Sequence, residues 1–121
     1  MSRKDWRARV EDILESIANL QGFVEDMTYE EFAADTKTVR AAAYEIMIIG
    51  EAAAHVPQEA RSRFPRIPWD EMQGIRNIVV HEYFRVDLEI LWQTITHDLP
   101  PLVPVLKGIL QEPGPDAEGC Q

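Results

Sequence analysis

The stretch from Asp35 to His55, DTKTVRAAAYEIMIIGEAAAH, decides the fold. Val39, Ala43, Ile46, Ile49 and Ala53 recur at spacings of three and four, which draws one apolar stripe along a helix. The segment is rich in alanine, so local propensity supports the same helix. Gly50 has no side chain to hold a neighbour away and allows another backbone to approach closely. Pro57 ends the helix.

The segments on either side repeat this pattern. Trp6, Val10, Ile13, Leu14, Ile17, Leu20 and Val24 form a second helical stripe. Thr28 with Glu31 fits a capping box and predicts a short helix through Tyr29, Phe32 and Ala33. Pro57 to Pro68 reads as a short helix followed by a turn, and a further helix starts near Pro68-Trp69-Asp70. Asp87 has the place of an N-cap. It precedes a stripe of Leu88, Leu91, Trp92, Ile95, Leu99, Leu102, Val103, Leu106 and Ile109. Pro100 and Pro101 interrupt that stripe and predict a kink or a break. No segment alternates as a strand would. The expectation is an all-α, up-down helical bundle over residues 1–112, with a disordered tail over 113–121, where Pro, Gly and acid replace the apolar period.

With 121 residues the chain is long enough for one domain with its own core. No apolar run approaches the roughly 20 residues of a membrane span. The N-terminal residues lack the apolar stretch of a signal peptide. Cys120 is the single cysteine, so no internal disulfide can form. These features predict a cytoplasmic protein with no membrane contact. A net charge of -9 excludes a protein that coats nucleic acid by bulk electrostatics. It leaves room for a local basic cleft: Arg61, Arg63, Arg66, Arg76 and Arg85 fall close together, among Glu59, Asp70, Glu71 and Glu82. A solvated mixed-charge surface explains the same cluster.

Chemistry concentrates in Arg76-Asn77-Ile78-Val79-Val80-His81-Glu82-Tyr83. At about 100° per residue, Met72, Ile75, Ile78 and Val79 fall on one side of the helix, the expected core face. Gln73, Arg76, Asn77 and His81 spread over the other. An arginine in apolar surroundings needs a partner. Glu45 or Glu51 would serve, and so would an anion such as phosphate, which suits the planar donor fork. Histidine is the side chain most easily tuned to move a proton near neutral pH. Together, a guanidinium and an imidazole are a minimal kit for cleaving RNA without a metal. On a helix, Arg76 and His81 lie roughly 140° apart and about 7.5 Å along the axis, so one copy does not bring both to one phosphate. Two copies related by a two-fold axis would, which predicts a homodimer.

The structural reading of the same residues is an ion pair, a capping histidine and a surface tyrosine. His55, near a helix end, and His97, before the proline break, belong with that reading. Trp6, Trp69 and Trp92 read as core. No metal-ligand spacing connects the histidines and Cys120, so neither a metal nor a cofactor is expected. A glycine-rich phosphate loop is also missing from the sequence.

The order Arg76-Asn77, His81, Tyr83 resembles the Arg-x4-His-x-Tyr signature of HepT-like proteins of the HEPN superfamily. Pro68-Trp69, Ile49-Gly50-Glu51-Ala52 and the run Val86-Asp87, Leu91-Trp92, Asp98-Leu99-Pro100 are similar to that family as well, so the resemblance covers all but the tail. It implies a HEPN-like helical bundle that dimerises with the two motif helices lining a shared cleft. The implied function is the toxin of a type VII-like toxin–antitoxin pair, a metal-independent endoribonuclease acting on RNA, with tRNA as a family-level guess. His81 would be the general acid or base, Arg76 would stabilise charge on the phosphoryl group, and Asn77 would support them. A minimal nucleotidyltransferase antitoxin would silence the toxin by attaching AMP to Tyr83. The alternative is a non-catalytic HEPN module that binds a nucleotide or the partner and cleaves nothing.

Overall fold

A computed structural model describes residues 5–79 and 85–112, apart from the side chain of Ile78. Helix α1 spans Trp6–Phe23, α2 Tyr29–Ala34, α3 Thr36–Ala54 and α4 Gln58–Arg63. After these come α5, Trp69–Val79, then α6, Leu88–Gln93, a wide turn over Thr94–Asp98 and α7, Leu102–Leu110. The described residues contain no strand. The chain is an all-α, HEPN-like bundle, as the periodicity predicts.

Helix α3 is the centre of the bundle, packed against α1 on one side and α5 on the other, with α7 against α1. Its N-terminus is set by Asp35, whose carboxylate accepts from the Thr38 backbone N–H at 3.2 Å. The capping box on α2 is present in both directions: Thr28 Oγ1 accepts from Glu31 N at 3.1 Å, and Glu31 Oε1 accepts from Thr28 N at 2.9 Å. Asp87 caps α6 by accepting from Ile90 N.

The core joins the predicted stripes. Val10, Ile13, Ile17 and Leu20 of α1 meet Ile46, Ile49 and Ala53 of α3, and Met72, Ile75 and Val79 close the α5 side. Each buried aliphatic side chain is worth about 1.5–3 kcal/mol relative to exposure. Trp69 is buried, its indole N–H donating to the Phe64 carbonyl at 3.0 Å, while Trp6 and Trp92 pack half-buried against the core. The α3 stripe is rotated slightly from the sequence reading, with Ala42 rather than Ala43 fully buried.

Gly50 performs the predicted task. A Cβ there would stand 3.3 Å from the Gln73 carbonyl oxygen and 3.5 Å from that of Met72. Helices α3 and α5 therefore approach backbone to backbone at Gly50, with the Ile75 Cγ2 methyl also in contact at 3.7 Å. That contact sets the level of α5 and of everything α5 carries.

The double proline breaks the last stripe in a specific way. The Leu99 N–H bonds to Thr94, five residues back, at 3.0 Å, and Pro100 has no N–H to offer the Ile95 carbonyl. Gln21 of α1 supplies the missing donor, its Nε2 reaching the Ile95 oxygen at 2.8 Å.

Candidate active site

The site is built on the C-terminal half of α5. Arg76 and Asn77 are exposed, and Met72, Ile75 and Val79 turn into the core, so these described side chains divide as the wheel predicts. The described part of α5 ends at Val79. His81 and Tyr83, together with Glu82, lie outside the described residues, as does the predicted tail over 113–121. The chain is next described at Arg85, and the Asp87 N–H donates to the Val79 carbonyl at 2.8 Å. The segment carrying His81 and Tyr83 therefore starts and finishes at one backbone hydrogen bond.

Arg76 has a carboxylate partner, and of the two offered by the sequence it is Glu51. Arg76 Nη1 donates to Glu51 Oε1 at 3.3 Å, with 48% of the arginine side chain still exposed. Glu45, by contrast, is buried between helices and accepts from Asn19 Nδ2 at 3.2 Å. The other oxygen of the Glu51 carboxylate lies 3.7 Å from His55 Nδ1, which also sits 2.8 Å from the Glu51 carbonyl oxygen. His55 is the C-cap of α3, as its position near the helix end implies. His97 Nδ1 lies 2.9 Å from Thr96 Oγ1 in the wide turn.

The basic cluster separates into different tasks. Arg61 belongs to the framework: its side chain is 13% exposed, Nε donates to the Val56 carbonyl at 3.1 Å and Nη2 to the Ala53 carbonyl at 2.8 Å. The same guanidinium reaches Gln73 Oε1 at 2.6 Å and Asp70 Oδ1 at 3.2 Å on α5. It is thereby removed from any phosphate-facing patch. Arg63 lies over the Phe64 ring, 5.4 Å from its centroid. Arg63 and Arg66 border a groove of about 520 Å³ against Pro104, Val105 and Gly108 of α7. Neither Glu51 nor Arg76 lines that groove. No group of three or more His, Cys, Asp or Glu side chains suited to a metal ion occurs among the described residues.

The family model described as "Ribonuclease HepT-like" matches residues 13–109. The chain belongs to the HepT-like ribonuclease family. Three relatives have comparable lengths. "Putative RNase MJ1380" of Methanocaldococcus jannaschii is 40% identical over 103 residues, covering 84% of this chain and 94% of the relative. "Probable ribonuclease HepT" of Thermococcus cleftensis is 39% identical over 101 residues, covering 84% and 89%. "Putative RNase MJ0127" of Methanocaldococcus jannaschii is 33% identical over 112 residues, 93% of each chain. No solved structure matches this chain. The HepT-like match takes in the α3–α5 contact, Glu51 and Arg76, and the segment with His81 and Tyr83. Glu51 is the residue the sequence left as one option of two; its place beside Gly50, at the level of α5, was the available signal. Among the described residues no helix is long and apolar enough to cross a membrane.

Proposed function

We propose that this protein is a metal-independent endoribonuclease, the toxin of a toxin–antitoxin pair, with Arg76 and His81 as its catalytic groups. The observation that carries this reading is Arg76 itself. It is half-exposed on α5, in a HepT-like ribonuclease, five residues ahead of the histidine. In the reaction His81 takes the proton of a ribose 2′-hydroxyl, and the oxygen attacks the adjacent phosphorus. The bond to the 5′-oxygen breaks, and that oxygen receives a proton from the imidazolium of His81, leaving a 2′,3′-cyclic phosphate and a 5′-hydroxyl. Arg76 stabilises the charge that grows on the phosphoryl oxygens, and Asn77 orients His81 or a phosphate oxygen. Base, acid and charge stabiliser are all side chains, so no metal is needed.

A homodimer completes the site by supplying a second Arg76 and His81 across a shared cleft. Tyr44 and Met47 support this arrangement. They are 63% and 42% exposed on the face of α3 that continues, four residues on, to Glu51 and Arg76. Apolar side chains beside a polar site are what a covering second copy would use.

Neutralisation is by transfer of AMP from ATP to the Tyr83 hydroxyl, with pyrophosphate released, catalysed by a minimal nucleotidyltransferase antitoxin. The added phosphate gives Arg76 an anion from its own chain, and the nucleotide fills the cleft. Both proteins would act in the cytoplasm on cellular RNA, tRNA being the first substrate to test.

His81→Ala should abolish RNA cleavage and growth inhibition while the far-UV circular dichroism stays that of the parent. Cleavage at parental rate by that variant rejects the catalytic assignment. Tyr83→Phe should gain no AMP mass when co-expressed with the transferase. The charge of -9 and the carboxylate already on Arg76 favour a second reading, a non-catalytic module that binds a nucleotide or the partner. That reading predicts weakened partner binding in Arg76→Ala and no nuclease activity in the parent.

A further inference from the structure

We propose that Glu51 is a positioning residue for Arg76, a role that rests on Arg76 contacting the phosphoryl group. The carboxylate engages Nη1 alone, at 3.3 Å. No described residue bonds to Nε or Nη2. Those two atoms form the other edge of the planar guanidinium, the edge that can grip two phosphate oxygens at once. Glu51 thus holds the fork from behind and leaves its working edge without a hydrogen bond from any described residue. A carboxylate that competed with substrate would sit on the Nε–Nη2 edge instead.

Glu51 is itself well placed to hold a geometry. It follows Gly50, where α3 and α5 meet backbone to backbone, so the level of its Cα relative to α5 is set by main-chain contact. His55, one turn later, lies 3.7 Å from the second carboxylate oxygen and 2.8 Å from the Glu51 carbonyl. The imidazole thus borders the second carboxylate oxygen while its Nδ1 bonds to the Glu51 carbonyl, and the carboxylate keeps its hydrogen bond for the guanidinium. An unrestrained arginine samples many rotamers, and a guanidinium out of place by an ångström loses most of its effect on a transition state.

Charge and hydrogen bonding can be separated by substitution. Glu51→Gln keeps an oxygen that accepts from Nη1 but removes the negative charge facing an incoming phosphate. Glu51→Ala removes both. The positioning role predicts that Glu51→Ala lowers kcat on an RNA oligonucleotide by about tenfold or more without raising KM. Glu51→Gln should recover most of that kcat, with KM below the parent's. An increase in kcat in Glu51→Ala, or no change, overturns the proposal, because a competitor or a bystander would behave so. The Arg76 Nε–H resonance, assigned by its loss in Arg76→Lys, gives a readout that does not need cleavage. It should be resolved in the parent and in Glu51→Gln, and averaged with free arginine side chains in Glu51→Ala. An unchanged resonance in Glu51→Ala rejects the positioning role. Absence of RNA cleavage by the parent rejects the nuclease reading, and the resonance then still decides whether Glu51 orders Arg76.

Discussion

Arg61 and Arg76 are the same side chain in one short region, and the fold uses them in opposite ways. Arg61 is nearly covered and satisfies two carbonyls at the end of α3 while reaching Gln73 and Asp70 on α5. Among the described residues Arg76 bonds to Glu51 alone, through Nη1. A helix end leaves carbonyls without partners, and a cation that fills this need becomes part of the frame. A cation on the outer face of α5 meets no such demand. Position relative to helix ends, more than sequence neighbourhood, decides which arginine is available to a substrate.

The largest expected effect is on activity. Arg76→Ala should lower the rate of RNA cleavage by about 100-fold or more, the scale of losing one charge-stabilising donor. Its urea midpoint should barely move, because exposed ion pairs contribute about 0–1 kcal/mol. Arg61→Ala should do the reverse: a loss of about 2–3 kcal/mol in urea unfolding, from the stranded Val56 carbonyl, the lost second bond at the Ala53 carbonyl and the lost bonds to α5. An equal loss of stability in both variants would dissolve the contrast between them.

Gly50→Ala tests what holds the two arginines at their levels. Alanine gains up to about 1 kcal/mol in helix propensity, but its Cβ meets a main-chain carbonyl that is anchored in a packed helix, at a cost of about 1–3 kcal/mol. The net expectation is a destabilisation of about 1 kcal/mol, read as a lowered melting temperature, together with reduced cleavage as α5 shifts away from Glu51.

The smallest effect concerns the opposite end of α3, which Asp35 caps as Arg61 closes the other. The backbone and side-chain hydrogen bonds of Thr38 hold the Asp35 carboxyl below its ordinary value of 3.8. A carboxyl lowered in the folded state adds stability above the unfolded pKa, and that contribution is lost as pH falls through the folded one. Asp35→Asn should therefore flatten the acid limb of stability below about pH 4, measured as urea midpoint against pH.

Most of the frame could be read from residue order. The stripes of α1 and α3, the Thr28–Glu31 box, the Asp87 cap and the close approach at Gly50 follow from local pattern, and each is present in the fold. Arg61 could not be sorted from Arg63, Arg66 and Arg76, because its role depends on α4 folding back under the end of α3. Likewise Pro100-Pro101 announced a break, but its form depends on Gln21, which is distant in sequence and supplies the donor that proline lacks. For Arg76 the sequence left two carboxylates open, and only the packing of α3 on α5 selects Glu51. The roles of His81 and Tyr83 rest on their place in the motif.

The backbone bond between Asp87 and Val79 gives this small enzyme a sealed neck. Whatever chain runs between those two points begins and finishes at the same spot, so neither flanking helix needs to register its length. A relative could vary the residues of that run around the motif positions His81 and Tyr83 and keep the same frame. Variation in sequence and preservation of stability are thereby assigned to separate pieces of one short polypeptide.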